Sequence, residues 1–285
     1  MTLSGKAKLA GIIGWPVNHS LSPVLHGHWL AEYGIDGAMI PLAARVEDFA
    51  VVIDGVRRAG FKGVNVTVPH KEAAFAIAHR ADQAAKSAGA ANLLIFHDRE
   101  IEARNSDSIG LAESLRENIG ALQGASAVLL GAGGAARGAI LALEMLGAGR
   151  IHLLNRDSRR AGILAASLAP QVKAAIEPGA LGDWSAVASG AALLVNSTSA
   201  GMGANPPLDI DLSLLPQSAA VCDIVYNPLE TKLLKDAAAR GHKTIDGLGM
   251  LMHQAVPSFE AFFGVRPKVT PALREVLVKV LGERG

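Results

Sequence analysis

Short apolar runs alternate with amphipathic stretches along almost the whole chain. Apolar runs bounded by turn residues are typical of buried strands, and apolar residues three or four positions apart are typical of helices. The strands predicted in this way are Leu9–Gly14, Ala38–Pro41, Gly63–Val68, Asn92–Phe96, Ala127–Leu130, Ile151–Leu154, Leu193–Asn196, Val221–Val225 and Lys243–Ile245. The predicted helices are Val24–Tyr33, Val46–Ala59, Lys71–Arg80, Ser108–Ile119, Ala135–Leu146, Ser158–Leu168, Met250–Phe263 and Pro271–Leu281.

This alternation is typical of βαβ units, so it predicts an α/β protein with largely parallel sheets. The chain has 285 residues, and at ~150 residues per domain this length suggests two domains. A second series of strands and helices begins near residue 108, where a Gly-rich unit follows. We therefore expect one domain over residues 108–246 and another over 1–107, completed by residues 247–285.

Composition narrows the class of partner. Half of the residues are hydrophobic and the net charge is +1, from 27 Lys and Arg against 26 Asp and Glu. These values exclude a disordered chain and argue against an electrostatically driven nucleic-acid binder. The expected partner is a small molecule. The one cysteine, Cys222, lies in an apolar run and is expected to be a core residue; no disulfide framework and no metal-ligand spacing is present.

The sequence predicts a cytoplasmic protein that does not enter a membrane. Lys6 and Lys8 precede an apolar stretch, but Gly11, Gly14 and Pro16 interrupt it and no small-residue cleavage site follows. A membrane span would need ~18 uninterrupted apolar residues, and the chain has no such run.

A Gly-rich turn between a strand and a helix is the strongest chemical signal. Residues 131–138 read Gly-Ala-Gly-Gly-Ala-Ala-Arg-Gly directly after the strand that ends at Leu130. Gly131 would form the tight turn, Gly133 would let the backbone approach a pyrophosphate, and Ala136 would allow close packing of helix on strand. The helix N-terminus would then offer its N–H groups to the phosphates. The pattern predicts a Rossmann-type dinucleotide-binding domain.

The next strand ends in Asn155-Arg156-Asp157, where the adenosine ribose of a dinucleotide is expected. Arg156 and Arg160 favour a 2′-phosphate and hence NADP, because guanidinium groups bind phosphate oxygens well. Asp157 favours NAD if its side chain faces the pocket, and favours neither cofactor if it caps the following helix. NADP is the preferred prediction, and NAD remains possible.

Polar residues cluster where strands of the first half end. They lie in residues 14–23, 65–71 and 105–110, and they include hydroxyls, amides, Lys71 and Asp107. Side chains at the carboxyl ends of strands in open α/β sheets converge on ligands. Such a set suits a polyhydroxylated, anionic small molecule.

With these motifs the chain resembles the shikimate dehydrogenase family. The blocks that carry the resemblance occur in the family's order over nearly the whole chain: 14–23, 63–71, 89–92, 105–110, 131–137, 155–156, 196–202, 223–228 and 246–254. The resemblance implies two domains, for substrate and for NADP, with a cleft between them. It also implies NADP-linked, reversible reduction of 3-dehydroshikimate to shikimate in the chorismate pathway of aromatic amino-acid biosynthesis.

The resemblance also implies roles for individual residues. The catalytic pair would be Lys71 and Asp107. Ser20 and Ser22 would bind the substrate carboxylate, and the other substrate residues would be Thr67, Asn92, Tyr226 and Gln254. The cofactor residues would be Gly131, Ala132, Gly133, Gly134, Ala135, Asn155, Arg156, Arg160, Thr198, Met202 and Gly247. His19 and His70 would have supporting roles only.

Four positions depart from the family pattern: Leu93, Ser106, Ser108 and Asp157. The first three leave the catalytic residues intact. Asp157 replaces a Thr that belongs to the 2′-phosphate site, and this departure weakens the NADP assignment.

Structural roles compete with the catalytic ones. The structural alternative for Lys71 is an ordinary solvated residue at a helix start, but a cation there opposes the helix dipole, which favours a functional role. Asp107 would also serve as a cap for a helix from Ser108, and Ser20 and Ser22 as turn residues before Pro23. In the catalytic interpretation, the Lys71 ammonium stabilises charge on the carbonyl oxygen and supplies its proton.

Two alternative functions remain open from the sequence. One is a quinate or quinate/shikimate dehydrogenase that uses NAD or both cofactors. The other is a dinucleotide-binding sensor without catalysis, against which the presence of Lys71 and Asp107 argues. The sequence is compatible with a monomer or a homodimer.

Overall fold

The computed structural model describes residues 3–284, and the chain divides into two compact units. The first unit runs up to Ser106 and includes Gln254–Val280, and the second contains Asp107–His253 and the residues from Leu281 onward. The boundary between Ser106 and Asp107 lies within one residue of the boundary expected at 107. The boundary at which the chain returns to the first unit follows His253, whereas the sequence placed it after residue 246.

The first unit contains six strands and four complete helices within the described residues. The strands are β1 (Lys8–Gly14), β2 (Gly37–Ala43), β3 (Gly63–Val66), β4 (Arg80–Ala81), β5 (Leu93–His97) and β6 (Glu100–Arg104). The helices are α1 (Ser22–Glu32), α2 (Phe49–Arg58), α3 (Lys71–Ala76) and α4 (Gln83–Ala88).

The sheet of the first unit has the strand order β2-β1-β3-β5-β6-β4. Strand β1 pairs in parallel with β2 and β3, but β5 is antiparallel to both β3 and β6. Strand β4 pairs in parallel with β6, so the sheet is mixed, and the expectation of a largely parallel sheet is confirmed only in part for this unit. The cause is a hairpin of β5 and β6, whose short connection contains Asp98 with a φ of 27°. Helix α3 is also shorter than predicted, because the chain leaves it at Ala76 and enters β4 at Arg80.

The second unit contains strands β7 (Ser126–Leu130), β8 (Arg150–Asn155), β9 (Ala175–Ala180), β10 (Ala191–Asn196), β11 (Ala220–Asp223) and β12 (Lys243–Ile245). Its helices are α5 (Asp107–Ile119), α6 (Gly134–Met145), α7 (Ser158–Leu168), α8 (Trp184–Val187) and α9 (Lys232–Ala239). Two further helices, α10 (Gly247–Phe263) and α11 (Pro271–Arg284), have residues in both units.

The sheet of the second unit is parallel throughout, with the order β12-β11-β10-β7-β8-β9. Counted from β7 as strand 1, this order is 6-5-4-1-2-3, the arrangement of dinucleotide-binding folds. The prediction of a Rossmann-type domain is confirmed. Apolar clusters cover both faces of the sheet, which explains why its central strands read as continuous apolar runs.

Small residues let the helices of this unit pack closely on the sheet. Ala136, Ala139 and Ala142 of α6 are buried in the same cluster as Ala127 and Leu129 of β7. This packing fits a composition with few aromatic residues. In the described part of the chain, no helix is long and apolar enough to cross a membrane.

Candidate functional site

A cavity of about 520 Å³ opens in the second unit where β7, β8 and β10 end. The strand order reverses between β10 and β7, and open α/β sheets bind ligands at such a switch point. The lining residues come from these strand ends and from one further loop: Leu130, Gly131, Ala132, Gly133, Leu154, Asn155, Arg156, Arg160, Leu181, Ser197, Thr198, Ser199, Ala200, Asn205, Pro206, Pro207, Leu208 and Asp209.

The Gly-rich turn has the geometry that its sequence predicts. Gly131 has a φ of +109°, and a Cβ there would lie 2.9 Å from Ser197 Oγ and 3.0 Å from Thr198 Cγ2. By contrast, a Cβ on Gly133 or Gly134 would meet nothing within 4 Å. Gly133 precedes α6 without a side-chain cap, so the positive end of this 12-residue helix meets the cavity wall. The turn can therefore admit an anionic group close to its backbone.

The second strand end resolves the ambiguity over Asp157. Asp157 is the N-cap of α7, and its carboxylate accepts a hydrogen bond from the Arg159 N–H at 3.0 Å. Arg156 and Arg160 line the cavity, whereas Asp157 lies outside its lining. The carboxylate is thus used to start the helix, and the two arginines line the cavity. Their role as ligands of a 2′-phosphate stays a prediction.

The remaining cofactor candidates lie in the same unit. Thr198 lines the cavity, and Ala135 belongs to the first turn of α6. Met202 and Gly247 lie outside the cavity lining; Met202 is 48% exposed. Gly247 has a steric reason to be glycine, because a Cβ there would lie 2.1 Å from the Ile224 carbonyl oxygen. Cofactor roles for Met202 and Gly247 stay predictions.

In the first unit, the predicted substrate residues lie after β1 and β3. Ser22 is buried and begins α1, and its N–H donates to Ser20 Oγ at 3.2 Å. Thr67 directly follows β3, and its Cγ2 lies only 2.4 Å from where a Cβ on Gly14 would be. Gly14 therefore lets the ends of β1 and β3 approach each other. The serines have the local turn role weighed in the sequence; their role as carboxylate ligands stays a prediction.

A buried polar cluster holds the predicted amide residues together. Asn92 Nδ2 lies 3.1 Å from Ser106 Oγ and 3.3 Å from Gln254 Oε1. Asn92 Oδ1 accepts from the Ser106 N–H at 2.9 Å, and Ser106 Oγ donates to the Gln254 carbonyl at 2.8 Å. The structure thus brings Asn92 and Gln254 together, although 162 positions separate them. Ser106, a departure from the family pattern, serves as their link.

The predicted catalytic residues both begin helices. Lys71 is the first residue of α3, and its carbonyl accepts from the Ala91 N–H at 2.8 Å. Asp107 is buried and is the first residue of α5, one position before the predicted start. Neither placement decides the catalytic role. Tyr226 is partly buried and follows β11 by three positions.

Two residues near these positions have surroundings that the sequence did not resolve. His70 is buried, its Nε2 lies 2.9 Å from the Ala44 carbonyl, and its ring stacks on Phe49 at 4.7 Å. These contacts indicate a supporting role. Asn65 was omitted from the candidates, yet within the described residues its Oδ1 is buried without a hydrogen-bond partner. Asn65 lies on β3, two residues before Thr67, and side chains two positions apart along a strand point to the same side of the sheet. This spacing is the signal that points to Asn65.

Known proteins are similar to this chain in both units. The family model for the shikimate dehydrogenase substrate binding domain matches residues 12–94. A shikimate dehydrogenase (NADP(+)) from Paramagnetospirillum magneticum is 49% identical over 278 residues, which cover 95% of this chain and 98% of the relative.

Two solved structures extend the comparison to the fold. A shikimate 5-dehydrogenase from Thermus thermophilus in complex with NADP(H) and shikimate has a TM-score of 0.82 and 32% identity, over 96% of this chain and 99% of that one. A quinate dehydrogenase from Corynebacterium glutamicum in complex with NAD has a TM-score of 0.88 and 30% identity, over the same shares. Because nearly half of its residues are shared with a curated relative along almost its whole length, this chain belongs to the shikimate dehydrogenase family.

Proposed function

We propose that this protein catalyses the NADP-dependent, reversible reduction of 3-dehydroshikimate to shikimate, a step towards chorismate and the aromatic amino acids. The observation that carries the proposal is the cavity with Arg156 and Arg160 in its wall and the Asp157 carboxylate engaged as a helix cap. The relative from Paramagnetospirillum magneticum is named as an NADP(+) enzyme, which supports the same cofactor.

The residues around the cavity fit a dinucleotide with a 2′-phosphate. Gly133 and the first turn of α6 would hold the pyrophosphate, since there is open space at the Cβ positions of Gly133 and Gly134. Arg156 and Arg160 would hold the 2′-phosphate by charge-assisted hydrogen bonds, and Asn155 would lie beside the ribose. Asn155 is itself fixed, because its Nδ2 donates to the Asp157 carbonyl at 2.9 Å. The bound cofactor supplies or accepts the hydride.

Proton transfer is the task of the chain's own residues. Hydride addition to a ketone places negative charge on its oxygen, which an ammonium group stabilises and protonates. We assign this role to Lys71, with Asp107 as its catalytic partner; in the direction of shikimate oxidation the Lys71 amine accepts the hydroxyl proton. The position of Lys71 supports the assignment, because a cation at the first residue of α3 opposes the helix dipole.

Substrate binding is assigned to the polar residues of the first unit together with Tyr226. Ser20 and Ser22 would bind the carboxylate, and Thr67, Asn92 and Gln254 the ring hydroxyls. The contact between Asn92 Nδ2 and Gln254 Oε1 supports this division, because it fixes one amide against the other and turns the Gln254 donors away from Asn92. An ordered set of donors can distinguish hydroxyl positions on a ring.

The quinate dehydrogenase likeness keeps one alternative in view, since that protein shares the fold and was solved with NAD. The test is a comparison of initial rates for NADP⁺ and NAD⁺ reduction, each with shikimate and with quinate. The proposal expects a high kcat/KM only for shikimate with NADP⁺. Comparable rates with quinate or NAD⁺ would favour the alternative enzyme. Folded protein that binds a dinucleotide but shows no rate with either substrate would favour the sensor.

A further inference from the structure

A buried carboxylate in the second unit is connected to the wall of the cofactor cavity. Asp223 ends β11 and is 0% exposed. Its Oδ1 accepts from Asn196 Nδ2 at 2.9 Å and from the Val225 N–H at 3.1 Å. Its Oδ2 accepts from Thr231 Oγ1 at 2.7 Å. All three partners are neutral, and none of them belongs to the sites assigned above.

Asn196 transmits the position of this carboxylate to the loop after β10. Asn196 Oδ1 accepts from the Thr198 N–H at 3.0 Å and from Thr198 Oγ1 at 2.7 Å. Because a backbone N–H can only donate, this contact fixes which end of the amide is oxygen, and Asn196 Nδ2 must donate to Asp223. Thr198 Oγ1 in turn accepts from the Ala200 N–H at 3.1 Å.

The loop held in this way forms one wall of the cofactor cavity. Ser197, Thr198 and Ala200 all line it, as does the Gly-rich turn. Thr198 Cγ2 and Ser197 Oγ also limit the space at Gly131, so the loop and the turn are packed against each other. The Thr198 hydroxyl hydrogen is committed to Asn196. Thr198 therefore acts on the cavity through its position rather than through a free donor.

We propose that Asp223 is a positioning residue for the cofactor, which orients Asn196 and thereby sets residues 197–200 against the Gly131 turn. The inference rests on the proposed function, since it concerns binding of the dinucleotide at that cavity. Asp223 is expected to act through Asn196 and Thr198 and to have no contact with the cofactor.

Burial is the reason to look for a role beyond packing. Burial raises the pKa of the Asp223 carboxyl, against the effect of its hydrogen bonds to Thr231, Val225 and Asn196. A buried carboxyl group whose partners are all neutral is costly, and an apolar residue would fill the same space without that cost. What an apolar residue would lack is an oxygen with two acceptor sites, one for the Val225 N–H and one for Asn196 Nδ2.

The experiment measures the Kd for NADP⁺ by calorimetry, the KM for shikimate at saturating NADP⁺, and Tm for a set of variants. Asp223→Ala should raise the Kd for NADP⁺ about ten-fold, the effect of losing one well-formed hydrogen-bonded link, with the KM for shikimate within about three-fold. Asp223→Asn should restore most of the affinity, because its amide oxygen can accept from Asn196 and Val225 while its amide nitrogen donates to Thr231.

Thr231→Val is the matched control. It removes a hydrogen bond from the same carboxylate, but from the oxygen that faces α9 and not the one that faces Asn196. A role in stability alone would make Thr231→Val and Asp223→Ala lower Tm and NADP⁺ affinity in parallel. The proposal expects Thr231→Val to lower Tm with the Kd for NADP⁺ unchanged within about two-fold.

A double-mutant cycle tests whether Asp223 acts on the cavity through Asn196 and Thr198. Asp223→Ala combined with Thr198→Val should bind NADP⁺ no more weakly than the weaker single variant, because both changes break one chain. Asn196→Ala cuts the same chain and replaces Asp223→Ala if that variant does not fold. Fully additive losses, or a Kd for Asn196→Ala within about three-fold of the unmodified enzyme, would overturn the inference. Failure of the unmodified enzyme to bind NADP⁺ would instead refute the proposed function.

Discussion

Replacing Arg156 by Ala tests the cofactor assignment most closely. Arg156 and Arg160 are the two cations in the cavity lining, at the end of β8 and in the first turn of α7. If they bind a 2′-phosphate, removing one of them should weaken NADP⁺ alone, because NAD⁺ has a hydroxyl at that position.

The size of the expected loss of NADP⁺ binding depends on how far the two arginines are exposed to solvent. A hydrogen bond to a charged group contributes about 1.5–3 kcal/mol, and the lower end applies because both arginines are exposed to solvent and screened by salt. About 1.5 kcal/mol corresponds to roughly a ten-fold rise in the KM for NADP⁺. The double variant should lose less than the product of the single effects, since both groups would share one phosphate. All of these losses should shrink as the salt concentration rises.

The assay is the steady-state KM for NADP⁺ and for NAD⁺ with saturating shikimate. Arg159→Ala is the control, because it removes the same charge from the first turn of α7, at a residue outside the cavity lining. We expect Arg156→Ala to change the KM for NAD⁺ by less than about two-fold, and Arg159→Ala to leave both values near those of the unmodified enzyme. Equal losses for the two cofactors, or an equal loss in Arg159→Ala, would refute the reasoning.

Four further variants test the cap, the turn and a buried histidine. Asp157→Ala should lower the free energy of unfolding by about 1 kcal/mol through loss of the α7 cap, measured by urea denaturation, while a large gain in NADP⁺ affinity would mean that its carboxylate faces the phosphate. Gly131→Ala should lower the free energy of unfolding by about 1–3 kcal/mol, because the φ of Gly131 is +109° and its neighbours are close. Gly133→Ala should instead keep the Tm and lose NADP⁺ affinity in calorimetry. A stable Gly131→Ala together with a destabilised Gly133→Ala would contradict the geometry. Burial lowers the pKa of His26 from 6.5 to about 3. Between these pH values the folded state therefore binds fewer protons than the unfolded state. The contribution of neutral His26 to the free energy of unfolding is complete above pH 6.5 and is lost as the pH falls towards 3. His26→Phe should therefore remove a fall of about 4 kcal/mol over this range in urea titrations, and an unchanged pH slope would show that His26 is not its source.

The sequence was sufficient for the parts of the fold whose signals are local. The apolar run at β7, the Gly-rich turn and the start of α6 follow one another within a dozen residues, and each needs only its neighbours to be recognised. Strand β9 gave no such signal, because it is a largely exposed edge strand that contains Pro178 and Gly179. Strand β6 has the alternation of a half-buried strand, Glu-Ile-Glu-Ala-Arg, in which Ile101 and Ala103 are buried, and this period of two is the signal that points to it.

Helix α9 is absent from the helices predicted from the sequence, for a different reason. Thr231 is its N-cap and accepts from the Leu234 N–H, and the helix buries Leu233, Leu234 and Ala237. These are ordinary start and periodicity signals, but the segment is only eight residues long. Short amphipathic segments are hard to distinguish from loops without knowing which sheet they cover.

The candidate site divides in the same way. The identities of Lys71, Asp107, Arg156 and Arg160 came from motifs, whereas the orientation of Asp157 depended on a hydrogen bond that no spacing specifies. Asn196 and Asp223 also lie inside family blocks, but their pairing crosses 27 positions between two strands. Side-chain partners over such distances follow from the register of a sheet, which the sequence alone does not state.

The central claim is that this enzyme oxidises shikimate with NADP⁺ through proton transfer by Lys71. The most direct measurement is kcat and KM for that reaction in the unmodified enzyme and in Lys71→Ala, with Lys62→Ala as a control at an exposed lysine of the same unit. We expect a fall in kcat of about 10²–10⁴-fold for Lys71→Ala, with the KM for shikimate within several-fold, because general acid–base catalysis contributes that much. Near-normal turnover by Lys71→Ala, or an equal fall in Lys62→Ala, would contradict it.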